Sequence, residues 1–199
     1  MLAGAVAFLM LTWRSGARLV ERARGNLRQP EAELIETATS GCQARLPGTA
    51  VFLASAAKGV PLALTQFIRH NHVMHERIIL LTVSIEETPR IANEGRVEVI
   101  EVIGGITRVI LHFGFMENNI TIAEGLQAAC DQGKICGIDP ANITYYVGRE
   151  KIIPSDKVVG MAVWRETLFA FLQHNAKGSA TFFGVPARQV VELGTEIEI

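Results

Sequence analysis

The chain offers little for cross-linking. Its three cysteines, Cys42, Cys130 and Cys136, are odd in number, and Cys130 and Cys136 lack the two-residue gap of a zinc knuckle or redox pair. They read as reduced thiols of a cytosolic compartment, not as a disulfide framework. Excess charge is missing too. The net charge is −1, so the molecule as a whole exerts no long-range pull on nucleic acid. There is no internal repeat, no low-complexity tract, no G-x-G-x-x-G, no Walker spacing and no serine in a nucleophile elbow. A long apolar run is absent as well. Leu2 to Leu11 is unbroken, but at about 1.5 Å per residue it falls well short of a hydrocarbon core of roughly 30 Å.

What is present is apolar bulk. Apolar residues make up 49% of the chain and mean hydropathy is +0.26, high for a soluble protein. The N-terminal run is one source. The other is a set of strands that are apolar on both faces. At 199 residues there is room for one well-buried domain and a small extra lobe.

The N-terminal run does not read as a signal peptide, because no positive residue precedes it and no clean cleavage pattern follows. It does not read as an ordinary core helix either, being apolar all round. Trp13 stands where an interfacial aromatic belongs. Arg14, Arg18, Arg22, Arg24 and Arg28 then follow against a single acid, Glu21, as the positive-inside rule expects on the cytoplasmic side. Arg14, Arg18 and Arg22 recur every fourth residue, so one helical face can lie against anionic lipid headgroups. The expectation is the end of a transmembrane helix whose beginning lies upstream of Met1.

The division expected is residues 1–13 as that helix end, 14–47 as a basic juxtamembrane helix and linker, and 48–199 as a cytosolic α/β domain. Within the linker, Pro30, Glu31 and Glu33 open a short helix to about Thr39, and Ser40, Gly41 and Pro47 bracket a loop. The domain opens with a strand Thr49–Leu53, a helix Pro61–His70 and a strand Ile78–Ile85, which spell a βαβ unit. Val97–Ile103 and Ile106–Phe113 alternate around Gly104-Gly105, a hairpin signal, so the sheet is mixed. Ile122–Cys130 is a helix. Ile143–Val147 is a strand with a short partner, Lys151–Ile153, after a turn at Gly148. Met161–Asn175 is a helix with Met161, Trp164, Leu168, Phe171 and Leu172 on one face. Gln189–Ile199 closes as an alternating strand with Glu192, Glu196 and Glu198 facing water. The fold class is thus α/β, a mixed β-sheet with flanking helices behind a partial transmembrane helix.

Clusters with chemical potential are few. His70, His72 and His75 form H-x-H-x-x-H, but they span a helix end and a loop, and polar loop residues explain them better than a metal site. Ser55 to Val60, with Lys58, lies between a strand and a helix N-terminus, where α/β sheets place anionic ligands; an ordinary turn is the plainer reading, and a freestanding nucleotide-binding domain the functional alternative. Gly114-Phe115-Met116-Glu117 and Gly148-Arg149-Glu150 put charge beside glycine at strand ends, where a site rim can form, but surface turns or a local Arg–Glu pair explain them better. Asp131, Asp139 and Asp156 read as capping or turn acids. No nucleophile, base and orienting group assemble, so the reading assigns no catalytic, cofactor or metal residue and no enzyme activity.

Several ordered stretches resemble one family: Thr12-Trp13 with Gly16, Arg45 to Leu53, Gly59-Val60-Pro61, and His75-Glu76-Arg77 leading into Leu81-Thr82-Val83. They continue with Phe113 to Glu117, Tyr146 to Glu150, Trp164-Arg165-Glu166 with Leu168-Phe169-Ala170, and Val190 to Ile199. Together these are similar to the C-terminal part of Kup-type (KUP/HAK/KT) potassium uptake proteins, bacterial more than plant. The resemblance implies the end of the last membrane helix plus a cytosolic domain of a K⁺/H⁺ symporter of the inner membrane. In that family the ions move through a bundle of about a dozen helices, and the resemblance gives this chain only the end of the last one, so no ion-site residue is carried over. The implied partners are the rest of the membrane domain, lipid headgroups along Arg14–Arg28 and a second copy as a homodimer, with no nucleic acid. The implied role is to support folding, pair subunits or tune transport.

Overall fold

The computed structural model describes residues 2–27, 36, 44–55, 59–102, 105–117, 121–135, 137–139, 142–153, 161–175 and 185–198. The chain divides into two compact units. One holds residues 1–28, 149–178 and 194–199; the other holds 29–148 and 179–193. The helix expected over Pro30–Thr39 falls outside the described residues except for Glu36.

The larger unit is built on parallel strands. β1 (Ala44–Ala54) leads through α2 (Leu62–Asn71) to β2 (Val73–Glu86), which pairs parallel to β1, Phe52 opposite Leu80. This is the expected βαβ unit. β3 (Val97–Val102) and β4 (Ile106–Gly114) form an antiparallel hairpin, and β4 runs parallel to β2. Val102 stands opposite Ile106, so three residues, not two, separate the last paired positions, and Gly105 takes a φ of 83°. α3 (Ile122–Asp131) then returns the chain to β5 (Ile143–Ile153), parallel to β1 on its other side. With β6 (Val190–Glu198) the strand order is β3-β4-β2-β1-β5-β6, a mixed six-stranded sheet.

Both faces of the central strands are covered, which is why they read as continuous apolar runs. On one face Phe52, Leu64, Phe67, Ile78, Leu80 and Tyr146 pack with α2. On the other Val51, Ile79, Leu81, Leu111, Ile122 and Leu126 pack with α3. Successive residues of β1 and β2 therefore enter opposite cores. Full burial of side chains of this size stabilises by about 1.5–3 kcal/mol each.

The strands run further than sequence reading expects. β1 starts at Ala44 and passes through Pro47 by a bulge, the register with β2 slipping between Leu46 and Thr49. Proline lacks the ladder donor and is admitted to a central strand only at such a bulge. Gly48 supplies the turn in the chain with a φ of 99°, a conformation side chains with a Cβ rarely adopt. The expected turn at Gly148 is not there: β5 is one strand from Ile143 to Ile153. Gly148 is not among the positive-φ glycines, and its neighbours Tyr145, Tyr146 and Val147 are buried, so extended pairing continues where glycine alone suggested a break.

The smaller unit contains α1 (Leu2–Leu27), α4 (Val163–Asn175) and the ends of β5 and β6. The apolar run and the basic stretch are one continuous helix, α1. No described helix is long and apolar enough to cross a membrane. α1 and α4 run side by side in the same direction, Phe8 against Trp164 and Trp13 against Phe169. A Cβ on Gly16 would meet the Phe169 ring at 2.3 Å, so the missing side chain is the notch that admits the ring. The buried face of α4 is not the expected one. Phe169 and Glu166 are fully buried, while Trp164 and Phe171 are exposed.

Candidate functional site

The histidines of H-x-H-x-x-H go three ways. His70, in the last turn of α2, pairs through Nε2 with Gln66 Oε1 at 3.0 Å. His72 ends that helix in the left-handed conformation, φ 55°. His75 is buried in β2 among Phe67 and Tyr146, its Nε2 3.2 Å from the Tyr146 hydroxyl. It is therefore a core residue and not the loop residue that spacing suggests. Burial pushes its pKa down, with the Pro47 carbonyl opposing, and burial pushes the Tyr145 and Tyr146 phenols up. Among the described residues no cluster of three or more His, Cys, Asp or Glu side chains converges for a metal.

The β1–α2 loop stands at the carboxyl edge of the parallel strands. Arg108, which is buried in β4, donates from a terminal guanidinium nitrogen to the Gly59 carbonyl at 3.2 Å. Sequence reading missed this arginine, because an alternating strand gives no signal for a buried cation. Lys58 lies outside the described residues, as do Cys42, Cys136 and Asp156.

At the end of β4, Glu117 folds back to accept from the Gly114 N–H at 2.9 Å and from Arg96 at 2.7 Å. Those donors, Gly114 first, hold its carboxyl below the ordinary range. Arg96 also lies over the Phe113 ring at 5.3 Å. The turn is a closed local structure, with Phe115 and Met116 exposed at its tip. On the sheet surface His112 sits between two carboxylates, Nδ1 2.8 Å from Glu86 and Nε2 3.5 Å from Glu98. The His112 contact, then Ser84, lowers the Glu86 pKa. An open groove of ≈ 540 Å³ passes Glu98, Glu101, His112 and Lys134, with Lys134 donating to the Val97 carbonyl at 2.6 Å.

Asp131 accepts from Gln127 at 2.9 Å within α3, and the Asp139 carbonyl closes a turn to the Asn142 N–H at 2.9 Å. Asp131 is therefore the last residue of a helix and not the loop acid that sequence reading expects.

In the smaller unit, Arg24 grips Glu150 with two nitrogens, at 2.9 and 2.5 Å from Oε2, a two-pronged, half-buried pair of the stronger kind. Glu21 adds a second carboxylate to Arg24. Lys151 and Glu196, 3.0 Å apart and both exposed, contribute little. Arg165 reaches back to Thr12 Oγ1 at 3.3 Å and lies over the Phe8 ring at 5.5 Å. The apolar residues Val6, Phe8, Leu9, Met10, Leu11 and Trp13 of α1 are all exposed. So large an exposed apolar face marks an interaction surface.

Comparison with known proteins connects this chain to one family. Residues 47–199 match the model of the K⁺ potassium transporter C-terminal domain. A probable potassium transport system protein, Kup 3, of Bradyrhizobium diazoefficiens is 68% identical over 199 residues, which is 100% of this chain and 32% of that protein. Kup proteins of Pseudomonas savastanoi and Erythrobacter litoralis are 43% and 39% identical, over 100% and 98% of this chain and 31% of each relative. The chain thus spans about a third of the length of the curated relatives it matches. With two-thirds or more of its residues inside the matched model, the chain belongs to the K⁺ potassium transporter C-terminal domain family.

Proposed function

We propose that this chain is the cytosolic C-terminal portion of a potassium–proton symporter, supporting or tuning ion movement by a membrane part that precedes it. The observation that carries the reading is the exposed apolar first half of α1, continuous with an arginine-bearing second half. A water-facing helix hides such residues; the end of a membrane helix displays them, with the arginines on the cytoplasmic side. The similarity of the whole chain to the last third of proteins named for potassium transport supports the same reading.

On this reading the larger unit has no ion pathway of its own, and its doubly covered sheet supports the membrane part. Deleting the stretch matching residues 45–199 from the Bradyrhizobium relative tests the role. The truncated protein should still insert, and its potassium uptake should fall or lose its dependence on cytosolic conditions. Uptake unchanged in rate and affinity would refute a supporting or regulatory role.

A further inference from the structure

We propose that α4 is a second membrane-contacting element, its Trp164 end meeting the lipid of an anionic bilayer beside the apolar first half of α1. This rests on the reading of α1 as the end of a membrane helix. α4 exposes Trp164 at 60% and Phe171 at 65%, a large apolar area for a helix that faces water. Trp164 stacks on Phe8, ring centroids 5.7 Å apart and planes within 10°. Whatever surrounds Phe8 therefore surrounds Trp164. Next to this pair an open apolar groove of ≈ 570 Å³ is lined by Leu9, Met10, Leu11, Trp13 and Leu172, wide enough to take part of an acyl chain.

Charge identifies the occupant as anionic lipid. Arg14, Arg18 and Arg22 of α1 are exposed, and cationic residues beside an apolar face are drawn to an anionic surface. From Leu2 to Val20 and from Val163 to His174 the sequence holds one acid, Glu166. It is 0% exposed, and among the described residues neither of its oxygens has a hydrogen-bond partner. Over these stretches the pair thus presents arginine and aromatic groups outward and keeps Glu166 inside, while the exposed Glu21, beyond Val20, pairs with Arg24. Trp164 has the apolar body and polar N–H of an interfacial residue.

The chain contains two tryptophans, Trp13 and Trp164, so each can be watched alone. The whole chain would be mixed with vesicles of phosphatidylcholine and phosphatidylglycerol whose acyl chains are brominated. In Trp13→Phe the Trp164 emission should be quenched by the bromine, comparably to Trp13 in Trp164→Phe. Phe171→Ser, a change at an exposed position, should weaken vesicle binding several-fold. Quenching of Trp13 without Trp164 overturns the proposal and leaves the reading of α1 standing. No quenching of either overturns both. Trp164 shielded from bromine and from aqueous iodide alike means that a second copy covers this face, which also overturns it, as does unaltered vesicle binding by Phe171→Ser.

Discussion

His75 shows how one residue type can be read in two ways. Two further histidines in the same six-residue stretch suggested a ligand cluster or a polar loop, yet β2 starts at Val73 and carries His75 into the aromatic core beside Phe67 and Tyr146. Its folded-state pKa lies below the unfolded value of 6.5. Between those two values the unfolded chain holds a proton that the folded chain does not. Stability from this site is therefore complete above about 6.5 and is lost as pH falls toward the folded pKa. The slope is at most about 1.4 kcal/mol per pH unit, the limit for one proton. Chemical denaturation at stepped pH should show this loss, and His75→Gln should flatten it. Glu86 and Glu117, whose pKa values are depressed, act in a lower window: their contribution is present above about 4.5 and disappears below it. Arg108 and Glu166 were equally hidden, since burial of a charge depends on neighbours two strands or a helix away.

At the scale of elements, most of the larger unit was legible. Runs such as Ile78–Ile85, apolar on both faces, require cover on both faces, and α2 and α3 provide it. Boundaries were less so. Pro47 and Gly48 look like a loop, but a bulge lets β1 carry them within a central strand. Gly148 looks like a turn, but the buried residues before it keep β5 extended. For α4 the apolar periodicity offered a stripe through Trp164, Leu168 and Phe171. What decides its orientation is the notch at Gly16 on α1, which seats Phe169 and draws Glu166, three residues earlier, onto the same buried face. Gly16→Leu should therefore pry α4 from α1 and lower the stability of the smaller unit by about 1–3 kcal/mol, as overpacking a fitted contact does. Thermal unfolding in detergent measures this, and Phe169→Ala in the same background should recover part of the loss. No loss in Gly16→Leu would mean that the notch is not holding the helices together.

The whole molecule joins a doubly covered sheet to a helix pair with an exposed apolar, arginine-edged face. Only the first of these explains itself as a self-contained fold; the second calls for something to cover it. The chain spans about a third of the relatives it resembles, and on our reading the missing cover is the membrane part of a transporter and the lipid around it. The most direct test grafts residues 1–199 in place of the matching C-terminal third of the Bradyrhizobium relative. Potassium uptake by cells lacking their own uptake systems is then measured. The account predicts that the graft restores uptake to near the parent's level, because α1 continues the last membrane helix and the domain is interchangeable. A graft that reaches the membrane in normal amount yet carries no potassium, while the parent does, would contradict it.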